Sequence, residues 1–477
     1  MPLILGTNSI KDTGYSVANS CRFDSATDAH MHITYGTAGN QKKWSWSGWI
    51  KRGTNFTTHQ NLFAVGTANN NFTFLQFNTS SNIVWYQATS GGTTSYLETD
   101  AIYRDPGAWI HVLLSIDTTL STANNRNRLW VNGTEVTSFT YRTNYDQNHD
   151  GGINDDVKHY LGGTTTGISD AEWDGYMAEV VFQDGVAHTG AGDFGEFDSD
   201  SPNIWKPKDV SGLTFGSNGF YLDFEDSSAL GNDISGNNND LTVSNIAATD
   251  QANDSCTNNY ATMNPLDYGR ASDLVVSHGN LDVATGGTAR GLARSTIGVS
   301  SGKWYWEVNP DSASGGNALI GVSAAYNDYS RTADNELGSL PYEYAFYQDD
   351  GKVYNNDTGA SYGSSYSNGN IIGVYLDLDN NKIYFSVNGS LQNSGTGIDV
   401  TDPASTSEGF YFFCVGDDNA YAERRFELNF GNPISALSSA VSDDNGHGSF
   451  EYSPNITGDS AAKKFYTINT KNLAEFG

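Results

Sequence analysis

The chain has 477 residues, of which 25 are Lys or Arg and 55 are Asp or Glu, for a formal net charge of −30. That length exceeds one compact core and suggests two to three domains, while the charge would repel DNA, RNA and anionic membranes and so disfavours nucleic-acid binding. With 52 Gly, 27 Tyr, 23 Phe and 10 Trp but only 17% charged residues, and no long apolar stripe of helical period, the composition points to an all-β fold of short strands.

Cys21, Cys256 and Cys414 form no CxxC pair, which argues against a disulfide scaffold or a Cys-rich zinc site. Cys414, inside Phe412-Phe413-Cys414-Val415, reads as a small buried hydrophobe. The first residues show no basic segment followed by a long apolar stretch, so no export signal is expected. No apolar run approaches the length of a membrane span.

In chain order, the first predicted module occupies residues 1–225. Trp44-Ser45-Trp46-Ser47-Gly48-Trp49-Ile50 alternates so that Trp44, Trp46 and Ile50 share one face. Ala108 to Ile116 forms a strongly apolar strand. Arg128 to Val136 reads as a hairpin, because Asn132-Gly133 supplies the two positive-φ positions of a type I′ turn. A closing strand follows at Trp173 to Phe182. Residues 226–265 turn polar, with breakers clustered at Asp233 to Asp240, and are expected to be a linker or interdomain loop.

The second module spans 266–435. Its strands are Lys303-Trp304-Tyr305-Trp306-Glu307-Val308, Leu319 to Val322, Tyr344 to Tyr347, Lys352 to Tyr354, Ile371 to Asp379, Lys382 to Gly389 and Phe426 to Gly431. Residues 436–477 are left as a C-terminal extension, a candidate assembly or attachment tail.

These segments carry two resemblances. In the first module WSWSGWIKR, AWIHVLLSID, LWVNGTEV and WDGYMAEVVFQDGVA, in that order, resemble the concanavalin-like jelly roll of the laminin-G and pentraxin group. In the second, the G-K-W-Y-W-E strand, the Asp350-Gly351-Lys352 turn, the Gly369-Asn370-Ile371-Ile372-Gly373-Val374 stretch with its Leu-Asp continuation, and the Val387-Asn388-Gly389 hairpin resemble a SPRY (B30.2) domain. The resemblances imply two β-sandwich modules, a concanavalin-like jelly roll followed by a SPRY-like sandwich. Joined in this way they resemble virion proteins of tailed bacteriophages of the marine type. That implies a tail-fibre, capsid-fibre or decoration protein in the virion, made in the host cytoplasm. Its partners would be a host-surface glycan or receptor and other virion proteins, with a homotrimer as the usual fibre assembly. A secreted or surface lectin or adhesin is the alternative; a carbohydrate-active enzyme and an intracellular SPRY scaffold are weaker ones.

Candidate sites follow from residue types. Tyr326, Tyr329 and Arg331, in a polar loop, and Tyr362 and Tyr366, in a Ser/Gly/Asn stretch, make the mixture of rigid rings and adaptable amides seen in binding loops. Loop-stabilising residues are the competing reading. Asp146 to Val157 mimics a calcium loop, with oxygen donors Asp146, Asn148, Asp150 and Asn154 and with Asp155 as a further ligand. Val157 stands where the closing Glu belongs, so an ordinary polar loop is the stronger reading.

Glu172, Asp174 and Glu179 invite a glycosidase reading, which needs two carboxyls about 5.5 Å apart for retention. Glu179 is odd in offset and falls on the other face of its strand from the first two, so the expectation is no catalysis. His30 and His32 share a strand face without a metal-ligand partner at the right spacing and read as a solvated strand.

Overall fold

The computed structural model describes residues 14–54, 56–68, 71–165, 170–268, 274–286, 290–311, 316–325, 336–418, 423–457 and 463–477. These residues are strand and turn almost throughout, with one α-helix at Thr470–Phe476. The chain divides into two compact units, Thr13–Thr257 and Asn258–Gly477. Each is a β-sandwich, as the residue alternation predicts.

In the first unit one sheet runs, neighbour to neighbour, through Thr134–Glu135, Asn127–Val131, Trp109–Asp117, Lys43–Arg52, Gly175–Asp184, Ser20–Phe23 and Gln251–Ala252, with Phe220–Leu222 paired beside Gly175–Asp184. Trp44, Trp46 and Ile50 all point into the core and are essentially inaccessible. Gly48 stands in the same row because the Trp46 ring fills the place of a side chain: a Cβ there would lie 2.9 Å from it. Asn132 and Gly133 adopt φ of 47° and 74°, the backbone that the type I′ turn requires.

The facing sheet runs through Phe139–Thr143, Gly92–Thr99, Ile83–Thr89, Asn71–Phe77, Gln60–Ala68, Lys158–Leu161, His30–Thr34 and Thr242–Ser244. Leu75, Phe77, Ile83, Trp85 and Leu97 face inward against the tryptophans of the first sheet.

The polar stretch 226–265 is not a free linker. Thr242–Ser244 extends the second sheet beside His30–Thr34, and Gln251–Ala252 extends the first beside Ser20–Phe23. Asp254 is fully buried, ion-paired with Lys51 at 2.6 Å and accepting from Trp109 Nε1 at 2.8 Å. Asp233 organises its loop by accepting backbone N–H bonds from Tyr221, Ser235 and Asn239. Low hydrophobicity here reflects Asx turns that satisfy backbone donors.

The second unit has a seven-stranded sheet of Met263–Tyr268, Leu292–Val299, Tyr411–Asp417, Ala318–Ser323, Glu343–Tyr347, Lys352–Asn355 and Thr358–Ser361. The nine-stranded partner centres on Arg424–Asn429, Lys303–Pro310, Ile372–Asp377 and Lys382–Val387. Trp304, Trp306, Val374, Phe385, Phe413 and Phe430 fill the space between them. Asn388 and Gly389 repeat the turn geometry of the first unit, with φ of 47° and 75°.

Residues 436–477, expected as a tail, are built into this sandwich. Tyr466–Thr467 adds a parallel strand beside Trp304 and Tyr305. Phe450, Ile456 and Phe465 cover the outer face of the larger sheet, packing on Tyr305, Tyr375 and Tyr384. Glu307 fastens the cover: its carboxylate accepts from the backbone N–H groups of Glu451 at 2.9 Å and Tyr452 at 2.8 Å, and from Asn429 Nδ2 and the Tyr305 hydroxyl. Asp443 makes a second knot, accepting from His447 N, Thr467 N and Asn472 Nδ2.

Candidate functional site

Strands of the second sheet in the first unit are apolar on both alternations, so the sheet has an inner face in the core and an outer face that is also aromatic. Register brings the outer rings together. Phe74 lies opposite Tyr86, Tyr86 opposite Tyr96, and Tyr141 opposite Glu98. Ring centroids follow at 6.0 Å from Phe72 to Phe74, 5.4 Å from Phe74 to Tyr86, 5.4 Å from Tyr86 to Tyr96 and 5.4 Å from Tyr96 to Tyr141. Phe72, Tyr86 and Tyr96 are half-buried and Tyr141 is 57% exposed.

The same face continues through Ala64 to Tyr160 and His32, which are paired in register. The rings of His30, His32 and Tyr160 lie 5.7–6.1 Å apart. Burial, then the neighbouring Lys158 and His30, hold the His32 imidazole below its usual pKa.

Polar groups border the rings. The Tyr86 hydroxyl lies 3.2 Å from Thr93 Oγ1. Tyr96 donates to one oxygen of Glu98, and Asn78 Nδ2 donates to the other at 3.1 Å. Burial and the bond to Glu98 raise the Tyr96 phenol, which stays neutral and a donor. Near Phe72 a cleft of about 300 Å³ is lined by Asn71, Phe72, Ala88 and Ser90 together with the inward-facing Val65 and Gln87 and with Asp150 and Asp155. A row of flat apolar rings with amide, hydroxyl and carboxylate groups at its margin suits a ligand with apolar C–H faces and hydroxyl edges.

The residues expected to bind from sequence are distributed differently. Tyr326, Tyr329 and Arg331 lie outside the described residues. Tyr362 and Tyr366 are core residues, each 6% exposed, and this corrects their reading as binding-loop aromatics. The Tyr362 hydroxyl accepts from Phe385 N at 3.1 Å, and Tyr366 donates to the carbonyls of Ala318 and Phe346. Both rings pack on Phe346, and burial raises the Tyr362 phenol to about 12. Their Ser/Gly/Asn stretch lets the backbone cross the core edge while the rings plug it.

In the 146–157 loop, read as an ordinary polar loop with a calcium loop as the alternative, the candidate donors have separate surroundings. Asp146 and Asn148 are exposed to solvent, and exposed Asp150 pairs with Lys42 at 3.5 Å. Asn154 is fully buried, donating to Asp184 at 2.7 Å and accepting from Asn218 at 2.9 Å. Asp155 accepts from Asp156 N. Their oxygens diverge, and among the described residues no group of three or more His, Cys, Asp or Glu side chains could hold a metal ion.

The carboxylates near the closing strand are separately engaged. Asp174 accepts from Ser25 and Thr54 hydroxyls. Glu179 sits in a β-bulge at φ of 50°, accepting from Tyr221 at 2.7 Å and Tyr15 at 3.3 Å. Burial is the main cause that raises its carboxyl to about 7.

Comparison with known families gives an independent reading of both units. Residues 25–188 match the concanavalin A-like lectin/glucanases superfamily, and residues 303–432 match the SPRY domain. The chain carries a concanavalin-like domain followed by a SPRY domain. A dual specificity protein kinase, splA of Dictyostelium discoideum, is 31% identical over 105 residues, which are 21% of this chain and 4% of the kinase. The SPRY domain of human HERC1 is 16% identical, covering 35% of this chain and 96% of that one with a TM-score of 0.27. A second human SPRY structure is 20% identical, covering 34% and 96% with a TM-score of 0.25.

The aromatic face was missed in sequence because pairing across strands is not local. Its one signal was that Phe72, Phe74, Tyr86 and Tyr96 occupy outward positions where a half-exposed strand would carry polar residues.

Proposed function

We propose that the protein is a non-catalytic recognition protein that binds a glycan on the outer aromatic face of its concanavalin-like domain, in the setting of a phage virion appendage. The observation that carries the binding reading is the uninterrupted ladder of Phe72, Phe74, Tyr86, Tyr96 and Tyr141. A sugar ring packs its C–H face on such side chains while its hydroxyls meet the marginal donors and acceptors. The match to the concanavalin A-like lectin/glucanases superfamily supports a carbohydrate-binding module, and the SPRY domain supports a protein-contacting one.

The virion setting is supported by the resemblance of this module pair to tailed-phage structural proteins. In that setting the partners are a host-surface glycan and other virion proteins, with a homotrimer as the expected assembly. A net charge of −30 makes nucleic acid an unsuitable partner. Non-catalysis is supported by Asp174 and Glu179 having separate hydrogen-bond partners.

The test is binding of the purified full chain to a glycan panel and to host cells. Saturable binding that falls about tenfold in Tyr86→Ala, a loss of about 1.4 kcal/mol, is the expected result. Binding that survives substitution of both Tyr86 and Tyr96 would sink the assignment to this face. Absence of binding to any glycan would leave a structural virion component.

A further inference from the structure

We infer that the first unit carries a covalent cross-link, an amide formed between Lys51 Nζ and Asp254 Cγ with release of one water. This goes beyond the glycan-binding reading and does not depend on it. Lys51 Nζ lies 2.6 Å from Asp254 Oδ2, and both side chains are 0% exposed. Among the ion pairs of the described residues no other has both partners so enclosed. The surround is apolar. Lys51 stands in register between Trp109 and Tyr176, with its ammonium 5.9 Å from the Tyr176 ring centre. Those two rings belong to a buried cluster with Val17, Trp49 and Ala252. Two full charges in such a place cost free energy that a neutral amide does not.

Both reacting groups are held by their strands. Lys51 lies on Lys43–Arg52, in the middle of the first sheet. Asp254 follows Gln251–Ala252, which pairs with Ser20–Phe23, and its backbone carbonyl accepts from Ser20 Oγ at 2.6 Å. Trp109 Nε1 donates to Asp254 Oδ1 at 2.8 Å, so Oδ2 is the oxygen turned to the amine. The ammonium passes one proton to Oδ2, leaving a neutral amine and a neutral acid. The nitrogen lone pair then attacks Cγ, and the charge that develops on Oδ1 meets the Trp109 N–H. A second proton moves from nitrogen to Oδ2, which leaves as water, and Cγ keeps its double bond to Oδ1 and its new bond to nitrogen. Burial raises the Asp105 carboxyl, against the Gly107 N–H and Lys51, which draw it down. An acid that keeps its proton near Lys51 is suited to carry that second proton. The link joins positions 203 residues apart and fastens the end of the first unit, which closes at Thr257, to the centre of its own sheet. A cross-link over so long a loop restricts the unfolded chain.

Mass spectrometry of the purified full chain tests this. The intact mass should fall one water short of the sequence, and a tryptic digest should yield a branched peptide that joins Lys51 to Asp254 and is uncut after Lys51. Asp254→Ala and, separately, Lys51→Arg should each show the full mass of their own sequence. Both should also run more slowly than the parent on a denaturing gel, because the parent keeps a closed loop. Asp105→Asn, with folding checked by its melting curve, should form the link at least about tenfold more slowly after synthesis. A parent chain that keeps its full mass after days of storage, with ordinary cleavage after Lys51, overturns the inference. A missing water that maps to another position, such as a succinimide, overturns it as well. An Asp105→Asn chain that links as fast as the parent overturns the part given to Asp105.

Discussion

Both sandwiches carry aromatic side chains on the outside of a sheet, and the two faces have opposite fates. In the second unit, Tyr305, Tyr375 and Tyr384 are at most 3% exposed because Phe450, Ile456 and Phe465 lie on them. In the first, Tyr86 and Tyr96 are half-buried and Tyr141 is more than half open. Aromatic residues on an outer face are therefore not a site in themselves. They become core where the chain covers them, and stay partly exposed where no described residue does. The cover in the second unit is fastened by a buried acid, Glu307, receiving four hydrogen bonds. Glu98 on the open face is half-buried and receives its bonds from two neighbouring side chains.

Substitution separates the two faces most sharply at the cover. Phe465→Ala removes a fully buried ring and should cost about 3–5 kcal/mol of stability in the second unit, read by denaturant unfolding, with glycan affinity unchanged. A Phe465→Ala protein that melts like the parent would show that the cover is not integral.

The second largest effect is a pH dependence of the first unit. The Glu179 carboxyl, raised from 4.5 to about 7 mainly by burial, binds its proton more tightly when folded. Its contribution is therefore fully present below about pH 4.5 and is lost as pH rises through 7, up to about 3 kcal/mol. His111 and His159, which burial lowers to about 3 and about 4, act in the opposite direction, since the unfolded imidazoles take up protons first. Their contribution is present above about pH 6.5 and is lost as pH falls toward 3–4. The difference between the parent and Glu179→Gln isolates the acid: the parent should lose ground steadily between pH 4.5 and 7. A constant difference across that window would refute the assignment.

On the open face the order reverses, with affinity changing more than stability. Tyr86→Ala should lower glycan affinity about tenfold, or about 1.4 kcal/mol. Tyr141→Ala, at the exposed end, should lower it about threefold, or about 0.6 kcal/mol, with an unchanged melting temperature. Equal losses at the two positions would argue against a ligand centred on Tyr86. The smallest expected effect is that of calcium. Because the donors of the 146–157 loop diverge, chelation should leave both melting and glycan titration unchanged.

Much of the architecture was legible in the sequence, and for local reasons. Trp44, Trp46 and Ile50 announced an inward face through their spacing, and Asn132-Gly133 and Asn388-Gly389 announced hairpins through the backbone they tolerate. The Lys303 to Val308 strand was legible for the same reason. The sites were far less legible. Tyr362 and Tyr366 have the composition of a binding loop but donate to or accept from core backbone. Asn154 has calcium-loop spacing but turns inward to Asp184.

Strand periodicity and turn chemistry act over a few residues, so the sequence by itself determined an all-β chain, the order of its two sandwiches and most of their strands. Which faces are covered depends on groups far apart in the chain. Glu307 meets Glu451 across 144 residues, and Lys51 meets Asp254 across 203. Only the tertiary structure decided that residues 226–257 and the described residues of 436–477 belong to the sandwiches, and that Phe72, Tyr86, Tyr96 and Tyr141 keep exposed surface. Burial is a property of what packs against a residue, and neither composition nor spacing carries that information.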